Sequence, residues 1–314
     1  MKIIQFDKIK ELNISPIMCY QWVCEAIALK KDVLLPAKIS LKPGIEGVFY
    51  NTMPVIIPYA NVGGVKVVTR YPGREPVLDS EILLYDLENG NNIALTDGNW
   101  ITAMRTGAVA AHSVKMFAVD GFKEIGIIGL GNTARAALKV LLAIYPEKKM
   151  KIKLKMYKNQ HNLFAEEFSS FNNVTFIYCE SFEKVIYGSD VVISAATVFE
   201  NNICEDRYFK EGVLVIPIHT KGFTNCDLFF DKVFADDTNH VKEFRYFDKY
   251  RYFAEVSDVV NGIKTGRENN KERILAYNIG IALHDIYFAN KIYKLVEDKC
   301  EEISLNSPAK KFWI

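Results

Sequence analysis

The chain has 314 residues, of which 49% are apolar and 25% charged, and its formal net charge is +1. That length allows two domains with separate cores, the composition is that of an ordinary globular protein, and the near-zero charge excludes a general attraction to nucleic acid or an anionic membrane. Charge interrupts Met1-Lys-Ile-Ile-Gln-Phe-Asp7 too early for a signal peptide, and no segment approaches the roughly 20 apolar residues of a membrane helix, so a cytoplasmic location is expected.

Six cysteines, at 19, 24, 179, 204, 226 and 300, form neither a C-x-x-C pair nor a metal-like cluster with histidine, so reduced thiols and no metal are expected. Residues 15–31 read as a helix capped by Ser15, with Pro16 at its first position and Met18, Trp22, Val23, Ala26, Ile27 and Leu29 on its apolar face. Strands are predicted at 36–40 and 47–51, continuing over 52–57, and at 64–69, where Lys66 interrupts an apolar run. On a strand with one exposed face that ammonium is simply solvated; with both faces covered it needs an anion, and a substrate carboxylate would serve. Residues 81–86 and 93–96 form a hairpin about Glu88-Asn-Gly90-Asn, whose Asn-Gly pair tolerates positive φ. The helix beginning at Asn99 carries Gly107, Ala108, Ala110 and Ala111, which permit close helix contact. Arg105, near its start, either makes a surface ion pair or offers a fork to a carboxylate.

From Lys123 the pattern changes to alternation. Strands at 124–129, 151–157, 174–178, 190–194 and 213–218 are separated by helices at 134–144, 161–170 and 181–187, which predicts a parallel sheet wound on both faces. The first turn, Gly129-Leu-Gly131-Asn132-Thr133-Ala134, has dinucleotide chemistry: Gly129 permits a tight turn, Gly131 admits a pyrophosphate and Ala134 lets the helix pack closely. Free N–H groups from Asn132 and Thr133 onward would hold the phosphates. Lys158 ends the second strand where NAD-binding folds commonly carry an acid for the ribose hydroxyls, which tilts the cofactor towards NADP over NAD. Ala196 and Thr197 follow the fourth strand at its carboxyl end, where such sheets bind ligands. After the fifth strand, His219 and Lys221 point the same way if strand geometry persists, either as proton donor and anion site or as a packed imidazole beside a surface ammonium. Ile274 to Val296 reads as one long helix returning to the first domain, and the aromatics of Lys310-Lys-Phe-Trp-Ile314 are expected to dock.

Met53-Pro54, Gly64-Val-Lys66-Val-Val, Ile101-Thr-Ala-Met-Arg105-Thr-Gly-Ala, Gly129-x-Gly-x-x-Ala134 and Gly280-Ile-Ala-Leu-His-Asp285 together resemble the ornithine cyclodeaminase and mu-crystallin family over nearly the whole chain. The resemblance implies an α/β protein in which a Rossmann-type doubly wound parallel sheet domain, 120–270, is inserted in an α+β substrate-binding and dimerisation domain, 1–119 with 271–314 returning to it. It further implies a homodimer and a cleft where the nicotinamide of NADP or NAD faces the Cα–N bond of a small amino acid or imine acid. Lys66 and Arg105 match positions that bind the substrate carboxylate, and Lys38 stands where arginine is usual, a point charge in place of a fork. Ornithine cyclodeaminases carry a glutamate shortly before the Met-Pro and an aspartate after the fifth strand; Asn51 and Lys221 stand at those places, with Asp227 nearby. The expected function is therefore NAD(P)-dependent oxidation or reduction at the Cα–N bond. Lys38, Asn51, Lys66 and Arg105 would hold the substrate, and Lys66, His219 or Lys221 would move the nitrogen's proton. Cyclodeamination of ornithine with catalytic NAD, and mu-crystallin-like binding of NADPH and a small ligand, are the alternatives.

Overall fold

The computed structural model describes residues 1–314 apart from 220–222, 226, 297–299, 306–307, 309–310 and 314. The chain opens with β1 (Lys2–Ile4) and α1 (Phe6–Glu11), neither of which was expected, and then α2 (Pro16–Ala28). Ser15 caps α2 as its side chain implies: its Oγ accepts the Met18 N–H at 3.3 Å. Next come β2 (Ile39–Leu41), β3 (Phe49–Ile57), β4 (Val62–Arg70), β5 (Leu78–Asp86) and β6 (Asn92–Asp97), neighbours within this run pairing antiparallel, and then the long helix α3 (Asn99–Phe117).

The second half alternates as expected: β7 (Glu124–Ile128), α4 (Asn132–Ile144), β8 (Met150–Lys155), α5 (Gln160–Glu167), β9 (Val174–Cys179), α6 (Phe182–Ile186), β10 (Val191–Ser194) and β11 (Leu214–Pro217). It continues through three strands and a helix that the periodicity did not separate: β12 (Lys232–Ala235), β13 (Phe253–Glu255), α7 (Val256–Val260) and β14 (Ile274–Tyr277). Helix α8 (Ala282–Val296) and β15 (Glu301–Glu302) follow. The single helix expected over Ile274 to Val296 is thus a strand, a turn at Gly280 (φ +92°) and a helix. Ile274-Leu-Ala-Tyr277 is buried on both faces between β11 and β12, and a short run of that kind has no period to distinguish strand from helix. Of the C-terminal stretch expected to dock, Phe312 is 81% and Trp313 69% exposed in the single chain, and Lys310 and Ile314 lie outside the described residues.

Two sheets result. One has the order β15-β1-β6-β5-β4-β3-β2 and the other, all parallel, β13-β12-β14-β11-β10-β7-β8-β9. Strict alternation turns Met53, Val55, Ile57, Val62, Lys66, Val68, Ser80, Ile82 and Leu84 to the buried face of the first sheet, against α8 and α3. One apolar cluster runs from Trp22 and Ile82 through Ala110 to Ile127 and Ile274, so both sheets share a core.

Helix α3 is the bridge. A Cβ built on Gly107 would stand 2.5 Å from the backbone of Ala136 and Ala137 in α4, so the two helices cross at a distance that only glycine allows. Gly107→Ala should therefore lower unfolding free energy by about 1–3 kcal/mol, as overpacking does. Gly73→Ala, with nothing within 4 Å of the added carbon, should change it by less than about 0.5 kcal/mol. Urea denaturation of the two variants checks this, and equal midpoints would contradict it.

Candidate active site

Lys66 lies on the covered face of β4 and is 1% exposed, so of its two alternatives the one that demands an anion holds. Its Nζ donates to Oδ1 of Asp285 at 2.7 Å and to Thr102 Oγ1 at 3.4 Å. Arg105, on α3, is also buried and not a surface residue: its Nε donates to the same Asp285 oxygen at 2.8 Å. Asp285 sits in the first turn of α8, fully buried, with its Oδ2 unpartnered among the described residues. Burial lowers the Lys66 ammonium to about 8, against the pull of Asp285 and with the push of Arg105. Burial opposes ionisation of Asp285 too, but Arg105 and Lys66 outweigh it and hold the carboxyl below its ordinary value.

Asp285 engages only the Nε of Arg105. Neither Nη has a hydrogen-bond partner among the described residues, and the guanidinium rests on Gly280, where a Cβ would meet Nη1 at 2.8 Å. The fork therefore remains available to a carboxylate. Lys38, half-buried in the loop before β2, has its ammonium's pKa lowered by burial and by Arg105, with Asp236 and Asp285 opposing. His219, just after β11, is lowered to about 4 by burial, then by Lys38 and Arg105. Lys38, Lys66, Arg105 and His219 thus share one electrostatic environment. Asn51 shares the inward face of β3 with Met53, whose cross-strand partner is Lys66, and its buried Oδ1 lacks a partner among the described residues. Lys221 lies outside the described residues.

Four residues of this site had been given no role. In the sequence, Asp285 and Thr102 stand only as members of motifs, without a role of their own. Asp236 and His240 follow β12, which was not recognised as a strand. Asp236 is 2% exposed; its Oδ2 accepts the Gly280 N–H at 2.6 Å, and burial raises its pKa. A carboxylate closing the apolar run Val233-Phe-Ala235 was the one available signal.

The glycine turn lies at the other end of α3's contacts. Gly129 (φ +81°) could carry no side chain, because a Cβ would stand 2.7 Å from the Ala195 carbonyl where the chain leaves β10. Gly131 opens α4 without a side-chain cap, and space around its Cβ position is open. The N–H groups of Asn132, Thr133 and Ala134 therefore begin a helix at the point where strand order reverses between β7 and β10, with Ala134 itself fully buried. Ala196 and Thr197 follow β10 at the same reversal. Lys158 is exposed beyond β8, in a left-handed conformation (φ 38°), its ammonium 5.4 Å from the Tyr157 ring centre. An uncapped helix start with open space before it fits a dinucleotide's phosphates.

The ornithine cyclodeaminase/mu-crystallin family model matches residues 4–300. The chain belongs to this family. Among curated relatives, nodulation efficiency protein NfeD of Rhizobium meliloti is 26% identical, over 83% of this chain and 84% of its own. Among solved structures, the Delta(1)-pyrroline-2-carboxylate reductase of Thermococcus litoralis, in complex with NADH and L-proline, superposes with a TM-score of 0.86 at 24% identity, covering 96% of this chain and 100% of that one. An archaeal alanine dehydrogenase dimer with bound NAD gives 0.85 at 20% identity, covering 98% and 99%.

Asp285→Asn removes the charge that both cations share and leaves them buried together. It should cost about 3–5 kcal/mol of stability, and adding Lys66→Met should recover part of that loss. Urea denaturation of the single and double variants measures both, and a neutral single variant would refute the shared-charge account.

Proposed function

We propose that this family member is an NAD(P)-dependent oxidoreductase acting on the Cα–N or C=N bond of a small amino acid or imine acid. The observation that carries the reading is the buried Arg105 guanidinium with its Nε taken by Asp285 and neither Nη paired among the described residues, in an environment shared with Lys38, Lys66 and His219. A substrate carboxylate answers that fork, and Lys38 adds a point charge beside it. The nicotinamide, when bound at the glycine turn, supplies or takes the hydride. This chain's residues fix the reacting carbon and manage the proton on nitrogen.

Reduction of an imine needs a proton on nitrogen as well as hydride on carbon. Lys66, protonated below about pH 8, is suited to give one, and His219, neutral above about pH 4, to accept one in the oxidative direction. Lys221 is the third candidate. Asn51 offers an amide and no charge to the far end of the substrate, which favours an imine acid over a diamine such as ornithine. The glycine turn with Asn132, Thr133, Ala134, Ala196 and Thr197 would hold the cofactor. Lys158, at the position of the usual ribose-binding acid, favours NADP over NAD.

The parallel-sheet unit, 120–270, would serve as nucleotide domain, and 1–119 with 271–314 as substrate and dimerisation domain, although the pairing of β14 in the parallel sheet favours a crossing after Tyr277. No helix among the described residues is long and apolar enough to cross a membrane, which supports a cytoplasmic setting. The outer face of the antiparallel sheet carries Pro54, Ile56, Val65 and Tyr85 beside Leu34, an apolar surface suited to a second copy of the chain.

With NADH or NADPH, absorbance should fall on adding Delta(1)-pyrroline-2-carboxylate or another cyclic imine acid from a panel. Arg105→Ala should lower kcat/KM for that substrate by about 100-fold, in line with loss of a charge-assisted pair, while dinucleotide affinity stays within about twofold. Equal loss of both would contradict the assignment. Sedimentation should report a dimer that Val65→Lys dissociates; a wild-type monomer would remove the homodimer from the proposal.

A further inference from the structure

Two of the cations that the proposed reading assigns to the carboxylate, Arg105 and Lys38, belong to the antiparallel-sheet unit. Each is nevertheless buttressed from a single corner of the parallel sheet, the exit of β12. Asp236 Oδ2 accepts the Gly280 N–H at 2.6 Å, and Gly280 is the residue on which the Arg105 guanidinium lies. Four residues further on, His240 Nε2 accepts the backbone N–H of Lys38 at 3.4 Å. An acceptor Nε2 places the ring proton on Nδ1. That Nδ1 and Asp236 Oδ1 are both buried and without a hydrogen-bond partner in the described structure.

The corner is rigid. Glu255 Oε1 accepts both the Thr238 N–H and its hydroxyl, at 2.8 and 2.7 Å, and Asp237 Oδ1 accepts the Asn239 N–H at 2.8 Å. Lys30, 7% exposed, reaches across from the end of α2 to bind Asp237 at 2.8 Å and Glu255 at 2.6 Å. The turn that carries His240 is thereby tied to the antiparallel unit by Lys30 as well as by its bond to the Lys38 backbone.

We infer that Asp236 and His240 are positioning residues, which set Arg105 and Lys38 in register for one carboxylate by holding the Gly280 backbone and the Lys38 backbone from the same turn. The inference rests on the reading that Lys38 and Arg105 bind the substrate's carboxylate. Neither residue needs to touch the substrate: each acts through the main chain beneath a cation.

The test is a double-mutant cycle with NADH-saturated protein and pyrrole-2-carboxylate, a planar imine-acid mimic that cannot be reduced in the same way, its Kd read by titration calorimetry. Lys38→Met keeps the backbone N–H and removes the charge, so it should weaken binding by about tenfold. His240→Leu should weaken it by about as much, and Lys38→Met/His240→Leu no more than about twofold beyond the worse single variant, because both losses run through one ammonium. His240→Gln, which restores an acceptor, should return the Kd to within about threefold of wild type, and NADH affinity should hold throughout. Likewise Asp236→Ala should weaken the probe strongly in wild type and little in an Arg105→Ala background. If His240→Leu does not fold, His240→Asn, too short to reach the Lys38 amide, takes its place. Multiplying losses in the double variants would overturn the inference while leaving the carboxylate reading intact. An unchanged Kd for both Lys38→Met and Arg105→Ala would instead overturn that reading, and the inference with it.

Discussion

Everything at the centre of this molecule turns on one oxygen atom, Oδ1 of Asp285, which accepts from both Lys66 Nζ and Arg105 Nε inside the core. The three side chains come from α8, β4 and α3, so the shared oxygen fixes where two helices meet the sheet. Ion pairs at this depth are a poor source of net stability, since desolvating the charges costs about as much as their attraction returns. Three buried charges that leave a surplus cation and an unpaired guanidinium edge are better understood as a site held ready than as an element of folding.

Helix α3 converts that local arrangement into long-range geometry. Arg105 and Gly107 are two residues apart and therefore on different sides of the helix; one faces Asp285, the other presses on α4. The start of α4 is the glycine turn. A single rigid helix thus carries the Arg105 guanidinium on one flank and seats α4 on another. Under the proposed reading, the separation between carboxylate and nicotinamide is consequently set by glycine contact and not by a flexible linker.

Much of this was legible in the chain, for reasons that differ from residue to residue. The β7–α4 turn declares itself locally, because glycine at positive φ, a free helix start and a small residue at the packing point are requirements of a few consecutive residues. Lys66 could be recognised as anomalous but not resolved, since which face of its strand is covered is decided largely by α8, whose Asp285 stands 219 positions away. Strand β14 reads as part of a helix in the sequence because four consecutive buried apolar residues carry no period. Asp236 and His240 went unassigned for a related reason: without β12 as a strand, nothing places its exit beside Gly280 and Lys38. The aromatic tail was expected to dock on composition alone, and composition does not supply a partner surface.

The electrostatics also link binding to proton transfer under the proposed reading. Arg105 pushes down the pKa of both Lys38 and His219, and Lys38 adds to the effect on His219. A carboxylate seated on these cations cancels part of that field, so each group's affinity for a proton rises when substrate arrives. Burial, the larger cause of the low His219 pKa, stays when substrate binds, and only the part owed to Lys38 and Arg105 is relieved, so the imidazole remains a neutral proton acceptor whose basicity rises with substrate. Lys66 responds in the same sense but less freely, because Asp285 already compensates it. The anion that orients the reacting carbon is then also the charge that prepares the neighbouring acid and base, and one set of cations accomplishes both by being buried slightly in excess.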